Sequence, residues 1–250
     1  MDTSRVGNIT SSEIGSLMAD GTTKDSIGKP FYTYIDECNM ERRLGMPLEK
    51  EISTFDMAWG KLCEKFAFDL LGITYQECST VTIAHPDYPF WLGTPDGIKY
   101  DEGKTVADTK CPGTRKSFCQ LVDAMNVPEN DGERERKILD NIKKGHKDGK
   151  KFYWQLVSNA ILTDSKYAEL IVVMPYKSQL PLIREMAANW DGEDQWQFKK
   201  IYESFDETLP YLNDSGHYKN LNVFRFEVPT EDKIALTKRV LLASKSLINT

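Results

Sequence analysis

The chain has 250 residues, of which 40% are hydrophobic and 28% are charged, and its net charge is −6. This composition is typical of a folded globular protein and excludes an intrinsically disordered one. No stretch approaches the roughly 18 apolar residues of a membrane span, and the first nine residues lack a signal-peptide core. We therefore expect a cytoplasmic protein without membrane association, whose acidic balance disfavours indiscriminate nucleic-acid binding.

Cysteine usage adds a second exclusion. The five cysteines are odd in number and have no CxxC spacing, which predicts reduced thiols rather than a disulfide framework or a zinc site. They are Cys38, Cys63, Cys78, Cys111 and Cys119.

Positive charge is concentrated in one segment of this acidic chain. Its lysines are Lys143, Lys144, Lys147, Lys150 and Lys151. A solvated helix face and a strip that contacts a polyanion both fit such a cluster, and the sequence leaves the two open.

The predicted elements follow from hydrophobic periodicity and from capping and turn residues. A short helix is predicted after Thr10, with Thr10 or Ser11 as its N-cap. Further helices are predicted over residues 30–44, 54–71, 132–144, 152–162, 179–188, 196–211 and 231–248. Strands are predicted over residues 80–84, 90–100, 105–110, 168–174 and 224–228.

This order of elements predicts an α/β fold in which a mixed central β-sheet is flanked by helices on both faces. The length fits one domain over residues 1–250, with residues 1–8 as a flexible tail.

The segments before and after Asp101-Glu102-Gly103-Lys104 carry the most chemical information. If that tetrapeptide closes a hairpin, Tyr100 pairs with Thr105, and Gly97 lies opposite Asp108. Asp96 and Asp108 then become diagonal or near neighbours.

Side chains alternate along a strand, so Asp108 and Lys110 project from the same face. Two carboxylates about 5 Å apart repel by roughly 3 kcal/mol at an effective dielectric constant near 20, and a bound cation reverses this repulsion. Oxygen ligands suit Mg²⁺ or Mn²⁺, and the main-chain carbonyl of Thr109 is a further candidate ligand. The alternative is that Asp96 is a turn residue and that Asp108 and Lys110 form an exposed pair.

Several segments in this order resemble a known family. They are Ile9-Thr10-Ser11-Ser12-Glu13-Ile14, Tyr34-Ile35, Glu41-Arg42-Arg43-Leu44-Gly45, Met57-Ala58-Trp59-Gly60-Lys61-Leu62-Cys63-Glu64, Thr94-Pro95-Asp96-Gly97, Asp108-Thr109-Lys110-Cys111-Pro112 and Tyr153-Trp154-Gln155-Leu156. Together they resemble the PD-(D/E)XK nuclease superfamily, and within it the YqaJ-like viral recombinases that include the lambda-type exonuclease. The resemblance runs from about Ile9 to Leu247 and implies a restriction-endonuclease-like fold.

The resemblance also implies roles for five residues. Asp96 and Asp108 would ligate the metal, and Lys110 would be the catalytic lysine. Glu64 would help to hold a second metal or its waters, and Gln155 would position the nucleophile or the phosphate. The family more often has Glu where Asp108 stands, which puts the metal preference in doubt.

Three further residues are candidates for substrate binding. Ser12 resembles a position near the DNA phosphate, but it could equally be a local backbone cap. Arg42 fits a phosphate contact or an ion pair, and Tyr153 fits core packing or substrate contact.

The function implied by the resemblance is Mg²⁺- or Mn²⁺-dependent exonuclease action on ends of double-stranded DNA, 5′ to 3′, in phage-type recombination. The same resemblance implies a homotrimer, a single-strand annealing protein as partner, and a phage or prophage gene acting in a bacterial cytoplasm. An endonuclease of the same superfamily and a non-catalytic DNA-binding scaffold are the alternatives.

Overall fold

The structure is a computed structural model that describes residues 5–23, 26–48, 53–191 and 195–248. Its helices are α1 Lys29–Leu44, α2 Phe55–Leu71, α3 Arg115–Met125, α4 Arg134–Lys144, α5 Gly149–Leu162, α6 Leu180–Ala188, α7 Gln195–Glu203 and α8 Thr230–Ser244. Its strands are β1 Ile9–Thr10, β2 Gln76–Glu77, β3 Ile83–Ala84, β4 Trp91–Gly93, β5 Gly97–Lys99, β6 Thr105–Lys110, β7 Tyr167–Val173 and β8 Leu221–Glu227. Within the described ranges, none of the helices is both long and apolar enough to cross a membrane.

A five-stranded mixed sheet forms the centre of the molecule. Its strand order is β2-β5-β6-β7-β8, and only the β6–β7 pair is parallel. A second, three-stranded sheet has the order β1-β4-β3. The predicted mixed sheet with flanking helices is therefore confirmed.

Each face of the central sheet is covered by its own hydrophobic core. Along β7, Leu170 and Val172 pack into a core shared with α1, α3, α4, α5 and α8, whereas Ile171 and Val173 pack into one shared with α2, α6 and α7. The alternation follows from the two-residue period of a strand, and burial on both faces explains the continuous apolar run of β7.

Two helices that carry candidate site residues form where the sequence predicts them. The Thr54 side chain caps α2 by accepting a hydrogen bond from the Met57 amide at 3.2 Å, and α2 ends at Gly72, whose φ of 71° favours glycine. Helix α5 begins at Gly149, three residues before the predicted start at residue 152. These boundaries place Glu64 and Gln155 inside regular helices.

Three predicted elements are wrong in detail, and one observed helix is absent from the prediction. Thr10 does not cap a helix but lies in β1, because the Ser11 amide donates to the carbonyl of Leu92 and holds the segment beside β4. Residues 90–100 form two strands in different sheets, since Pro95 between them has no amide hydrogen for a ladder. The helix predicted over residues 196–211 ends at Glu203, and residues 111–125, which were left unassigned, contain α3.

The register of the β5–β6 hairpin is one residue away from the predicted register. Lys99, not Tyr100, lies opposite Thr105, and Gly97 lies opposite Ala107. The loop is longer because Lys104 adopts the left-handed conformation, with a φ of 53°, and its amide closes a turn on the Asp101 carbonyl. A residue in that conformation cannot continue the ladder.

Residues 5–8 of the predicted flexible tail contact α1. The Gly7 amide donates to the Glu41 carboxylate at 2.8 Å, and Arg42 donates to the Gly7 carbonyl at 2.6 Å. Residues 1–4 of that tail lie outside the described residues.

Candidate active site

Asp96 and Asp108 lie side by side where β5 begins and β6 approaches its end. The Asp96 amide donates to the Ala107 carbonyl at 3.2 Å, and the Asp96 carboxylate accepts a hydrogen bond from the Thr109 amide at 2.5 Å. Asp96 is thus bonded to the residues on both sides of Asp108. The first of these bonds joins main chain to main chain, so the arrangement does not depend on the Asp96 side-chain rotamer alone.

Asp108 is almost fully buried, with 1% of its surface exposed. Its Oδ1 atom accepts a hydrogen bond from the Gln155 amide nitrogen at 2.7 Å. Its Oδ2 atom lies 2.7 Å from the Lys110 ammonium, so the two side chains form a close ion pair. A carboxylate oxygen has two lone pairs, so Oδ2 can accept a further ligand beside the ammonium.

Gln155 links the two ends of this ion pair. Its amide nitrogen donates to Asp108, and its oxygen accepts a hydrogen bond from the Lys110 ammonium at 3.3 Å. Because α5 packs against β6, this polar side chain projects from a mostly apolar helix onto the end of the strand. The structure therefore brings Asp96, Asp108, Lys110 and Gln155 together.

Glu64 reaches this cluster from α2, on the opposite side of the sheet from α5. Burial raises the pKa of the Glu64 carboxyl, and the charge of Asp108 raises it further, whereas a hydrogen bond from Ser79 opposes the rise. Glu64 therefore lies within electrostatic range of Asp108 and Lys110.

Electrostatics within the cluster favour a cation. Burial raises the pKa of the Asp96 carboxyl well above its usual range, and the neighbouring charges of Asp108 and Glu64 add to this rise. Burial alone would lower the pKa of Lys110, but the charges of Asp108 and Asp96 outweigh it and raise that pKa. The lysine therefore stays protonated, whereas the charged forms of Asp96 and Glu64 are disfavoured, and a bound cation would favour them.

The donor set fits a divalent metal in part. Among the residues that the structure describes, no three His, Cys, Asp or Glu side chains converge closely enough to form a metal site by themselves. The Asp108 carboxylate and the adjacent Asp96 carboxylate offer oxygen ligands, and Mg²⁺ commonly takes one or two carboxylates and keeps several waters. The residues present are compatible with such an ion.

The candidate substrate-binding residues lie in three different environments. Ser12 is half-buried beside a groove of about 530 Å³ and accepts a hydrogen bond from Arg5 at 3.1 Å. Arg42 donates to the carbonyls of Gly7 and Ile248, so its guanidinium ties the two ends of the described chain to α1.

Tyr153 is fully buried, and its hydroxyl donates to Asp232 at 2.5 Å. Tyr153 packs beside Phe226 in the core, an environment that fits the core-packing alternative rather than the predicted substrate contact.

The lysine cluster is largely paired with acids of the same chain. The closest ion pairs join Lys143 to Asp232 at 2.7 Å and Lys150 to Asp20 at 3.0 Å. These contacts support the view of the cluster as a solvated, ion-paired face.

Two residues beside the site were missed from sequence. Ser79 donates a hydrogen bond to Glu64 from the loop after β2, and nothing in the sequence marks that contact. The Phe152 ring lies 5.2 Å from the Lys110 ammonium, and its position three residues before Gln155 placed it on the same helix face.

The paired aspartates and the lysine lie on the mixed, helix-flanked sheet of an α/β protein. Solved exonucleases share this fold at low sequence identity. An alkaline exonuclease from Laribacter hongkongensis (LHK-Exo) is 14% identical, with a TM-score of 0.56 over 96% of this chain and 88% of that one. In its complex with dAMP the same enzyme is 15% identical, with a TM-score of 0.57 over 97% and 89%.

A phage-related exonuclease from Haemophilus somnus 129PT is 14% identical, with a TM-score of 0.59 over 96% of this chain and 92% of that one. No family model matches the chain, and no curated protein matches it. The similarity confirms the fold expected from the resemblance to lambda-type exonucleases.

Proposed function

We propose that this chain is a metal-dependent exonuclease that hydrolyses phosphodiester bonds at the ends of double-stranded DNA. The observation that carries the proposal is the cluster of Asp96, Lys110 and Gln155 around the buried Asp108 carboxylate at one end of β6. Its chemistry is supported by the fold shared with exonucleases, one of them solved with dAMP bound.

Asp96, Asp108 and Glu64, with the main-chain carbonyl of Thr109, would hold Mg²⁺ or Mn²⁺. When bound, such an ion polarises the scissile phosphate and lowers the pKa of a bound water. Of these residues, Asp108 is the most deeply buried.

Lys110 supplies a fixed positive charge for the phosphate. Its pKa is raised by Asp108 and Asp96, so it remains protonated at the pH values at which DNA is stable, and it can stabilise charge that develops on the phosphate oxygens. Gln155 holds both partners of the ion pair, so it fixes the direction in which the Lys110 ammonium points.

The finer features of this proposal come from the family resemblance. They are 5′-to-3′ polarity, a ring-shaped homotrimer around the DNA, a single-strand annealing protein as partner, and a role in phage-type recombination in a bacterial cytoplasm. A ring-shaped homotrimer would allow this acidic chain to surround DNA, because positive charge is needed only along the central channel of the trimer.

The test uses purified protein with Mg²⁺ and duplex DNA labelled at the 5′ or the 3′ end, beside a covalently closed circle of the same sequence. We expect early release of mononucleotides from the 5′ label and an intact circle. Rapid cutting of the circle would instead identify an endonuclease. Binding of both DNAs without hydrolysis in Mg²⁺ or Mn²⁺ would identify a non-catalytic scaffold.

A further inference from the structure

The Lys110 side chain has an aromatic neighbour that the catalytic cluster does not require. The Phe152 ring centroid lies 5.2 Å from the Lys110 ammonium, inside the range of about 6 Å in which a cation is attracted by the face of a ring. Phe152 is only partly buried and packs at the margin of the larger core. Its ring therefore has one side in the core and one toward the site.

Helix α5 presents two residues to the same lysine. Phe152 and Gln155 are three positions apart, a spacing that places side chains on one face of a helix. Gln155 accepts a hydrogen bond from the Lys110 ammonium at 3.3 Å, while Phe152 offers the electron-rich face of its ring. A lysine side chain has four rotatable carbon–carbon bonds and is therefore flexible. The Gln155 hydrogen bond and the Phe152 ring contact, both from one helix, restrict the Lys110 side chain more than its ion pair alone.

We infer that Phe152 is a positioning residue that holds the Lys110 ammonium in place through a cation–π contact. This inference rests on the proposed function, in which Lys110 stabilises charge on the phosphate. The ring itself does not contact DNA or the reacting atoms; it restricts where the charge sits. Lys110 is already drawn to Asp108 at 2.7 Å, and the ring adds a contact that opposes movement of the ammonium away from the cluster.

A packing role and a cation–π role predict different results when the ring electrons are changed at constant shape. Fluorination withdraws electron density from the ring face but keeps its size and apolar character, so it weakens only the cation–π contact. Mono-, di- and trifluorophenylalanine can be placed at position 152 by nonsense suppression. Substitutions Phe152→Leu and Phe152→Tyr complete the series.

The matched control is Tyr100, which lies in the loop after β5 with its ring centroid 5.4 Å from the Lys104 ammonium. Tyr100→Leu removes a cation–π pair of similar distance at an exposed position outside the site. We expect it to leave cleavage unchanged.

The measurement is kcat and KM for linear duplex DNA at saturating Mg²⁺, with thermal unfolding of each variant. We expect kcat to fall stepwise with each added fluorine, KM to stay constant, and Phe152→Tyr to remain close to wild type. Phe152→Leu should lower kcat by between about 2-fold and about 30-fold. If Phe152→Leu does not fold, the fluorinated series decides alone.

Wild-type kcat in the trifluorinated protein would overturn the inference. If cleavage is lost in Lys110→Ala but is unaffected by the fluorinated rings, only the role of Phe152 fails. If the wild-type chain does not cleave DNA with any metal, the proposed function and this inference fail together.

Discussion

Replacement of Asp96 by Asn tests whether the Asp96 and Asp108 carboxylates repel each other in the metal-free protein and whether a bound cation removes that repulsion. The Asn side chain keeps an oxygen that can accept the Thr109 amide hydrogen, which now bonds to the Asp96 carboxylate at 2.5 Å. What is lost is one negative charge beside the buried Asp108 carboxylate. The substitution therefore separates charge from shape.

The size of the effect follows from Coulomb's law. Facing side chains on neighbouring strands are about 5 Å apart, and two unit charges at that distance repel by about 3 kcal/mol at an effective dielectric constant near 20. The Lys110 ammonium offsets part of this repulsion. We expect Asp96→Asn to raise the free energy of unfolding of the metal-free protein by about 2 kcal/mol, which is about 4–8 °C in Tm for a chain of this size.

The sign of the pH dependence is also determined. The pKa of Asp96 is raised in the folded state, mainly by burial, so the folded protein favours the protonated form. The stability that this contributes is present at pH values below the ordinary carboxyl range, near 4, and is lost as pH rises through the folded-state pKa. As pH rises through this range, the free energy of unfolding of the metal-free wild type should fall, and that of Asp96→Asn should fall less.

The assay is thermal unfolding in EDTA and in Mg²⁺ across this pH range, with Asp69→Asn as control. Asp69 is an exposed acid on α2, so its replacement gives the same change in net charge away from the site. Mg²⁺ should stabilise wild type and the Asp69 variant but hardly affect Asp96→Asn. Equal stabilisation of wild type, Asp69→Asn and Asp96→Asn by Mg²⁺ would show that Asp96 does not help to bind the cation. A metal-free Asp96→Asn protein less stable than wild type would show that the two carboxylates do not destabilise the fold.

Two further predictions concern stability. Gly97→Ala should lower the free energy of unfolding by about 1–3 kcal/mol in a denaturant titration, because the new Cβ atom would lie 2.5 Å from the Phe68 ring. The control is Gly60→Ala, which should not destabilise the chain because the space around its Cβ atom is open. Tyr153→Phe should cost about 2 kcal/mol by removing the hydrogen bond to Asp232, and the cleavage rate of the folded protein should stay unchanged. Slower cleavage by that variant would restore Tyr153 as a substrate contact.

Local signals explain which parts of the fold could be predicted. Strand β6 was predicted with its observed bounds, and α2 was predicted to within one residue, because Thr54, Gly72 and the hydrophobic period agree. The hairpin register was missed by one residue, since the left-handed conformation of Lys104 is held by contacts to the start of β7 that are distant in sequence. The limits of the prediction therefore lie where tertiary contacts decide the backbone.

In the candidate site, too, some residues could be predicted from local patterns, whereas others depend on contacts between distant segments. The alternation along β6 was enough to predict that Asp108 and Lys110 share a face, and the shifted register still leaves Asp96 beside them. Gln155 and Glu64 lie on helices on opposite sides of the sheet, and only the family resemblance pointed to them. Phe152 required the packing of α5 on β6, which no local pattern specifies.

The proposed nuclease site is tested most directly by the rate of duplex hydrolysis by Lys110→Ala compared with that by Lys65→Ala. Both variants lose one lysine, but Lys65 is exposed on α2 and pairs with Asp69, whereas Lys110 contacts Asp108 inside the cluster. We expect Lys110→Ala to lower kcat at saturating Mg²⁺ by at least about 100-fold, the size of loss typical for one charge-stabilising group, while Lys65→Ala cleaves as wild type. Undiminished cleavage by a folded Lys110→Ala protein would contradict the proposed site.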